Sequence, residues 1–181
     1  MKELKKNAIA GIFYALLFIP TIVLDYLKSK GKLDPTWLIL YYLISFISIV
    51  TFSYFIWGYK IVADKTKNKI LGISVKLTIL FVVLLFPIKF LNSDPTNLTG
   101  AYKAFWIVTI SVGGILTLLS GIGIKRLSDK IGNLAKVVGI LNIIAGISAI
   151  TVVFVFIDLL LTIPIMILEI VLMFIIADKL K

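Results

Sequence analysis

The sequence predicts an all-α, polytopic membrane protein with a single domain of about six transmembrane helices. Of its 181 residues, 60% are hydrophobic and only 15% are charged, and the mean hydropathy is +1.10. Soluble domains are usually near half apolar and a quarter charged. Apolar runs long enough to cross about 30 Å of hydrocarbon recur along the chain. These runs are continuous rather than alternating, which favours helices over a barrel.

Six apolar segments account for this pattern. The first reads as a retained helix, because its apolar stretch is long enough to span and no small-residue cleavage site follows it. The last two belong to one apolar stretch, and a single helix over both would overshoot the bilayer about twofold. We therefore place a tight turn near Asp158. The predicted spans are 8–27, 36–59, 70–91, 104–124, 135–156 and 159–177.

The charges in the loops predict the orientation. Basic residues accumulate on the cytoplasmic side of membrane proteins. Thirteen lie at one side, namely Lys2, Lys5, Lys6, Lys60, Lys65, Lys67, Lys69, Lys125, Arg126, Lys130, Lys136, Lys179 and Lys181, against five at the other, namely Lys28, Lys30, Lys32, Lys89 and Lys103. Both termini are therefore expected in the cytoplasm of a multi-pass cell-membrane protein. Anionic lipid headgroups explain the net charge of +10 more economically than nucleic acid does.

Turn and interface residues support the helix boundaries. The triplet Asp-Pro-Thr occurs at 34–36 and again at 94–96. Asp caps free N–H groups at a helix start and Pro needs none, so each triplet predicts a helix N-terminus. Aromatic residues near predicted membrane–water boundaries are expected to act as anchors; these are Trp37, Tyr59, Tyr102 and Trp106.

A short glycine repeat predicts which helices pack most closely. The pattern Gly-Ile-Leu, four residues, then Gly-Ile occurs at 113–123 and again at 138–148. Seven-residue spacing places small residues on one face of each helix, namely Ser111, Gly114 and Gly121 on the fourth, and Ala135, Asn142, Ala149, Gly139 and Gly146 on the fifth. Such stripes let backbones approach closely in lipid, so we expect an antiparallel hairpin. The alternative is that Gly is simply frequent in membrane helices.

The second half of the chain resembles a known class of proteins. A polar connector, "KRLSDKIGNLAK", precedes a Gly-rich helix and an Ile/Leu-rich hairpin. Over residues 111–179 this arrangement is similar to an archaeal family of small, uncharacterised integral membrane proteins. The resemblance implies a membrane location and no particular activity.

Polar residues inside the spans are the candidate functional residues. At 1.5 Å per residue, Glu169 lies roughly 12 Å, Asn142 roughly 10 Å and Lys76 roughly 9 Å from the cytoplasmic ends of their helices. A charge in hydrocarbon is costly unless it is paired or hydrated. We therefore consider an intramembrane polar cluster of these three residues. The alternative is that Lys76 snorkels to the surface and Glu169 is protonated.

Composition argues against catalysis. The chain has no His and no Cys, which removes thiolate chemistry and imidazole ligands. The carboxylates are scattered among the spans, so we expect no metal site, no cofactor and no enzymatic activity.

Two functions remain. The first is a structural or accessory subunit that assembles with itself or with a larger membrane complex through small-residue helix faces. The second is a small ion or proton channel or transporter that uses Glu169 and Lys76. The scarcity of polar residues in the outer half of the spans favours the first.

Overall fold

The structure, a computed structural model, describes residues 2–88, 100–151 and 155–180. Within these ranges the chain is helical and has no strand, which confirms the all-α prediction. The helices are α1 (Lys2–Ser29), α2 (Pro35–Thr66), α3 (Lys69–Leu85), α4 (Gly100–Lys125), α5 (Ser128–Ile131), α6 (Asn133–Ile150) and α7 (Val155–Lys179). Five of them, α1, α2, α4, α6 and α7, are long and apolar enough to cross a membrane. The chain is thus built as a multi-pass membrane protein.

The long helices form a closed ring. α1 packs on α2, α2 on α3, α3 on α4, α4 on α6 and α6 on α7, and α7 returns to pack on α1. Across this ring α2 also touches α7. The short helix α5 lies beneath α6 and α7.

Contacts between distant parts of the chain show that both termini lie at the same end of the ring. Lys5 pairs with Asp178 at 2.9 Å. The Lys179 ammonium donates to the Ile131 carbonyl at 2.6 Å, which ties α5 to the C-terminus. We call this end of the bundle the terminal end, and the opposite end, which carries the α1–α2 loop, the far end. The terms terminal half and far half follow from these names.

The helix boundaries differ from the predicted spans in instructive ways. α2 continues to Thr66 rather than 59, and it ends where Lys67 takes a left-handed conformation with φ 57°. α3 ends at Leu85 rather than 91, two residues before Pro87, which has no backbone N–H to continue the helical hydrogen bonds. Its 17 residues span about 26 Å.

The start of α2 follows the predicted capping. The Asp34 side chain accepts a hydrogen bond from the backbone N–H of Trp37 at 2.9 Å, which confirms the first Asp-Pro-Thr triplet as a helix start. The second triplet, at 94–96, lies outside the described residues.

The predicted turn at Asp158 is wrong in position. α6 ends at Ile150 and α7 begins at Val155, so Asp158 lies inside α7. The break between α6 and α7 therefore comes earlier in the chain than the position of Asp158 suggested. At the end of α6, the Thr151 hydroxyl donates to the Ser148 carbonyl at 2.9 Å.

The glycine stripes lie between α4 and α6. A Cβ added to Gly121 would lie 2.8 Å from the Gly139 carbonyl oxygen, and one added to Gly146 would lie 2.6 Å from the Leu118 nitrogen. A Cβ on Gly114 would meet the Ala149 side chain at 2.9 Å. Only hydrogen at these positions permits such a backbone approach. Ser111, predicted on the same stripe, is half-buried.

Among α1, α2, α3 and α7, close packing is concentrated in the terminal half. In α1 the buried residues are Leu4, Asn7, Ala8, Ala10 and Gly11, with Leu24 alone in the far half. α3 buries Leu71, Ser74 and Val75, all in its first two turns. The core joins these residues to side chains of α2 and α7, including Phe55, Tyr59, Val62, Met166, Leu172, Met173 and Ile176.

Candidate intramembrane polar site

A hydrogen-bonded pair joins α6 to α7 inside the bundle. The Asn142 amide donates to the Glu169 carboxylate at 2.9 Å and also to the Val138 carbonyl, one turn back, at 3.1 Å. Asn142 is only 5% exposed, so its amide is oriented by its own helix before it reaches the carboxylate. The structure therefore brings together two of the three residues predicted as a polar cluster.

Tyr59 of α2 completes the surroundings of Glu169. Its hydroxyl donates to the Glu169 backbone carbonyl at 3.1 Å. Tyr59 is 3% exposed, so it is not the interfacial anchor predicted from its position. The reason is that α2 extends about two turns beyond the predicted end and carries Tyr59 into the core.

Lys76, the third predicted member of the cluster, lies elsewhere. It is exposed and lines a surface depression beside Lys60 and Asp64, which pair with each other. Its helix packs on α2 and α4, away from α7. Among the described residues, neither ion pair includes Lys76 or Glu169. The Lys76–Glu169 pair is therefore wrong, and the alternative of a surface-directed Lys76 fits its exposure.

A cavity of about 370 Å³ opens in the far half of the ring. Its wall is formed by α1, α2, the end of α3 and Trp106 of α4. It lies where α1 and α3 cease to bury side chains against their neighbours. Most of the wall is apolar, including Ile22, Ile49, Val82, Leu85, Phe86 and Ile88.

A strip of polar side chains crosses this apolar wall. The hydroxyl oxygens of Thr21 and Ser48 lie 3.2 Å apart. The Thr21 hydroxyl also donates to the Leu17 backbone carbonyl, one turn back in α1, at 2.8 Å. Nearer the far end, the Tyr41 hydroxyl donates to Asp25 at 2.7 Å. Ser45 also lines the cavity and is 1% exposed.

Tyr14 lies between the cavity and the packed core. It lines the cavity together with Phe18 and Phe52, and its ring lies 4.9 Å from that of Phe52, centroid to centroid. Tyr14 also packs against the hydrophobic core. The aromatic group therefore separates the open far half from the polar site beneath it.

No family model, curated protein or solved structure matches this chain.

The archaeal resemblance of residues 111–179 accordingly stays a prediction. The chemistry of the site must be derived from its own residues. The Glu169 carboxylate can exchange a proton or coordinate a small cation, and the Asn142 amide holds it in place. Within the described ranges, no three His, Cys, Asp or Glu side chains come together as a metal-binding group.

Sequence reasoning missed most of the cavity residues. Asp25, near the end of the first predicted span, accepts the hydrogen bond from Tyr41. A signal was present, because Thr21 and Asp25 are four residues apart and Ser45 and Ser48 are three apart, which places each pair on one helix face. Asn7 carried no such signal. It is 1% exposed, donates to the Tyr54 carbonyl, and its side-chain oxygen has no partner among the described residues.

Proposed function

We propose that this protein is a small, non-catalytic membrane transporter that carries protons or a small monovalent cation between the far-half cavity and Glu169. The observation that carries the proposal is that one bundle holds both a partly buried carboxylate, Glu169, which the Asn142 amide contacts at 2.9 Å, and a cavity lined by Asp25 and several hydroxyl groups. An ionisable group inside a membrane bundle commonly marks an ion or proton pathway.

The distribution of polar groups fits cation entry from the far end. Asp25 supplies a negative charge at the cavity wall, and the hydroxyls of Thr21, Ser45 and Ser48 follow it inward. Oxygen ligands and a carboxylate suit a cation or a proton rather than an anion. Lys76, which is exposed, has no part in this route.

The packing of the terminal half supports a closed gate below Glu169. Gly58 is so close to α1 and α7 that an added Cβ would lie 2.9 Å from both the Asn7 Cβ and the Met173 Cε. Release to that side requires these helices to separate. Under this proposal the described conformation is the one open to the far side, and transport needs a second conformation.

The other predicted function, an accessory subunit, depended on small-residue faces that could bind another chain. The glycines of these faces, Gly114, Gly121, Gly139 and Gly146, are buried between α4 and α6 of the same chain. They are not exposed to a partner in this conformation. An accessory role would require a different surface.

The decisive experiment measures ion flux into proteoliposomes for wild type and Glu169→Gln. The glutamine keeps the oxygen that accepts from Asn142 but cannot ionise, so we expect flux to fall to the level of empty liposomes with thermal stability nearly unchanged. Glu3→Gln, the same change at the other glutamate, which is exposed, is the matched control and should transport normally.

A second variant tests the route separately from the carboxylate. Ser45→Phe places a large ring in the cavity and should reduce flux while leaving Glu169 intact. Absence of flux in wild type, together with a loss of stability in Glu169→Gln, would contradict transport. Glu169 would then be a structural residue, and the accessory role would be the remaining function.

A further inference from the structure

A second cavity, of about 330 Å³, lies at the terminal end on the outside of the ring. It is formed by two connections that are far apart in sequence, the α2–α3 turn and the segment between α4 and α5. Four of its seven lining residues are cationic, namely Lys67, Lys69, Arg126 and Lys130, and the others are Thr66, Asn68 and Leu127. No acidic residue lines it.

Asn68 links the two connections through hydrogen bonds. Its side-chain amide donates to the Gly123 carbonyl of α4 at 2.8 Å, while its side-chain oxygen accepts from the Leu71 backbone N–H at 3.2 Å and so caps α3. Gly123 allows the approach, because a Cβ there would lie 2.8 Å from Leu71. Leu127 is 1% exposed and anchors the second connection in the core. The four cations are therefore attached to a fixed backbone.

Asp64 and Asp129 flank the two connections but do not line the cavity. Asp64 pairs with Lys60, and the Asp129 carboxylate lies 3.5 Å from the Ser128 hydroxyl. Within the part of the chain that the structure describes, none of the four cavity cations forms an ion pair. The four cationic residues are exposed, so water and salt screen much of their mutual repulsion, while an anion placed between them is attracted by all four.

We propose that this cavity binds a phosphate group, held by Lys67, Lys69, Arg126 and Lys130. The N-terminus of α3, which begins at Lys69, adds free backbone N–H groups on the same side. Arg126 offers the planar fork that matches phosphate oxygens, and the lysines contribute point charges. Phosphate can come from a phospholipid headgroup at the membrane surface or from a soluble ligand. This site does not depend on the transport route through Glu169.

The test compares two variants that each lose three positive charges from the terminal end. Lys67→Gly/Arg126→Gln/Lys130→Gln empties the site, and glycine at 67 preserves the turn because φ there is 57°. Lys2→Gln/Lys6→Gln/Lys136→Gln removes three exposed charges that do not line the cavity. Lys69 is retained in both, so that α3 keeps its first residue.

Binding is followed by the thermal shift of the detergent-purified protein in titrations with short-chain phosphatidylglycerol, short-chain phosphatidylcholine and inorganic phosphate. One cation near an anionic headgroup contributes about a fivefold factor in affinity, so we expect the site variant to bind at least about tenfold more weakly than the control variant. A shift with phosphatidylglycerol alone identifies a lipid headgroup, and a shift with inorganic phosphate identifies a soluble ligand. The proposal is overturned if no ligand stabilises the wild type, or if both variants lose the effect equally.

Discussion

The two halves of the bundle are held together by different means. In the terminal half, α1, α2 and α7 pack closely around two glycines, Gly11 and Gly58. A Cβ added to either glycine would come within 3.0 Å of a neighbouring side chain. In the far half, α1 and α2 are joined by the Tyr41–Asp25 and Thr21–Ser48 contacts around a cavity. Because lipid is itself apolar, close packing and hydrogen bonds, rather than hydrophobic burial, decide helix association. A half that is filled resists movement, and a half that is open can admit a ligand.

The largest expected effect is the loss of a close backbone approach. In Gly139→Ala, the new Cβ would lie 2.5 Å from the Lys125 nitrogen, and the α4 backbone must move. Overpacking of this kind costs about 3 kcal/mol, so the detergent-solubilised variant should show a much lower melting temperature. Gly113→Ala is the control, because its Cβ would meet only Phe81, at 3.7 Å. Equal melting temperatures for the two variants would contradict the close contact.

A smaller effect should follow from truncating a core side chain. Met173 is fully buried in the terminal half, and Met173→Ala should cost about 2 kcal/mol through lost van der Waals contacts. Val82→Ala removes a side chain that lines the far-half cavity and should cost well under half as much. Chemical denaturation in mixed micelles measures both. A larger loss for Val82→Ala would reverse the proposed difference between the halves.

Breaking a polar link should destabilise the far half more modestly. Tyr41→Phe removes the hydrogen bond from the tyrosine hydroxyl to Asp25, at a cost of about 1 kcal/mol. Hydrogen exchange should then speed up in the far halves of α1 and α2 and stay unchanged near Phe55. Tyr54→Phe, at an exposed tyrosine of the same helix, is the control. Uniform exchange across both halves would argue against separate stabilisation.

The smallest effect is expected at Lys76. Because this side chain is exposed and has no ion pair with Glu169 within the described residues, Lys76→Gln should leave the melting temperature unchanged. Glu169→Gln should likewise leave the melting temperature nearly unchanged. The opposite result would be that Lys76→Gln lowers the melting temperature alone but has no further effect when Glu169→Gln is already present. Such coupling would indicate that the two residues form an ion pair.

The sequence was informative where a single helix carries the signal. Continuous apolar runs predicted the helical bundle, and the spacing of Gly114, Gly121, Gly139 and Gly146 pointed to the two helices that lie closest. The Asp34 cap was likewise predictable, since a cap depends on neighbours in sequence. In all these cases the period of the helix relates the residues to one another.

Partners across the ring were not predictable in this way. Depth along a helix suggested that Lys76 and Glu169 could meet, but depth does not say which way each side chain points around its helix. The order of helices in the ring places α3 away from α7 and so separates the two. Tyr59 was misjudged for a related reason, because an error of two turns at the end of α2 changes an interfacial position into a buried one.

Ring closure between α1 and α7 has a consequence for biosynthesis. α1 is made first and α7 last, yet Gly11 of α1 packs on Ile170 of α7. At ribosomal rates of about 5–20 residues per second, the first helix waits roughly 8–30 s in the bilayer before its final neighbour emerges. During that interval α2 already supplies the Tyr54 carbonyl for the Asn7 amide, but the face of α1 that α7 later covers meets lipid or the insertion machinery. Premature termination before α7 would leave Asn142 of α6 without the Glu169 carboxylate, a polar group in hydrocarbon that membrane quality-control proteases can recognise.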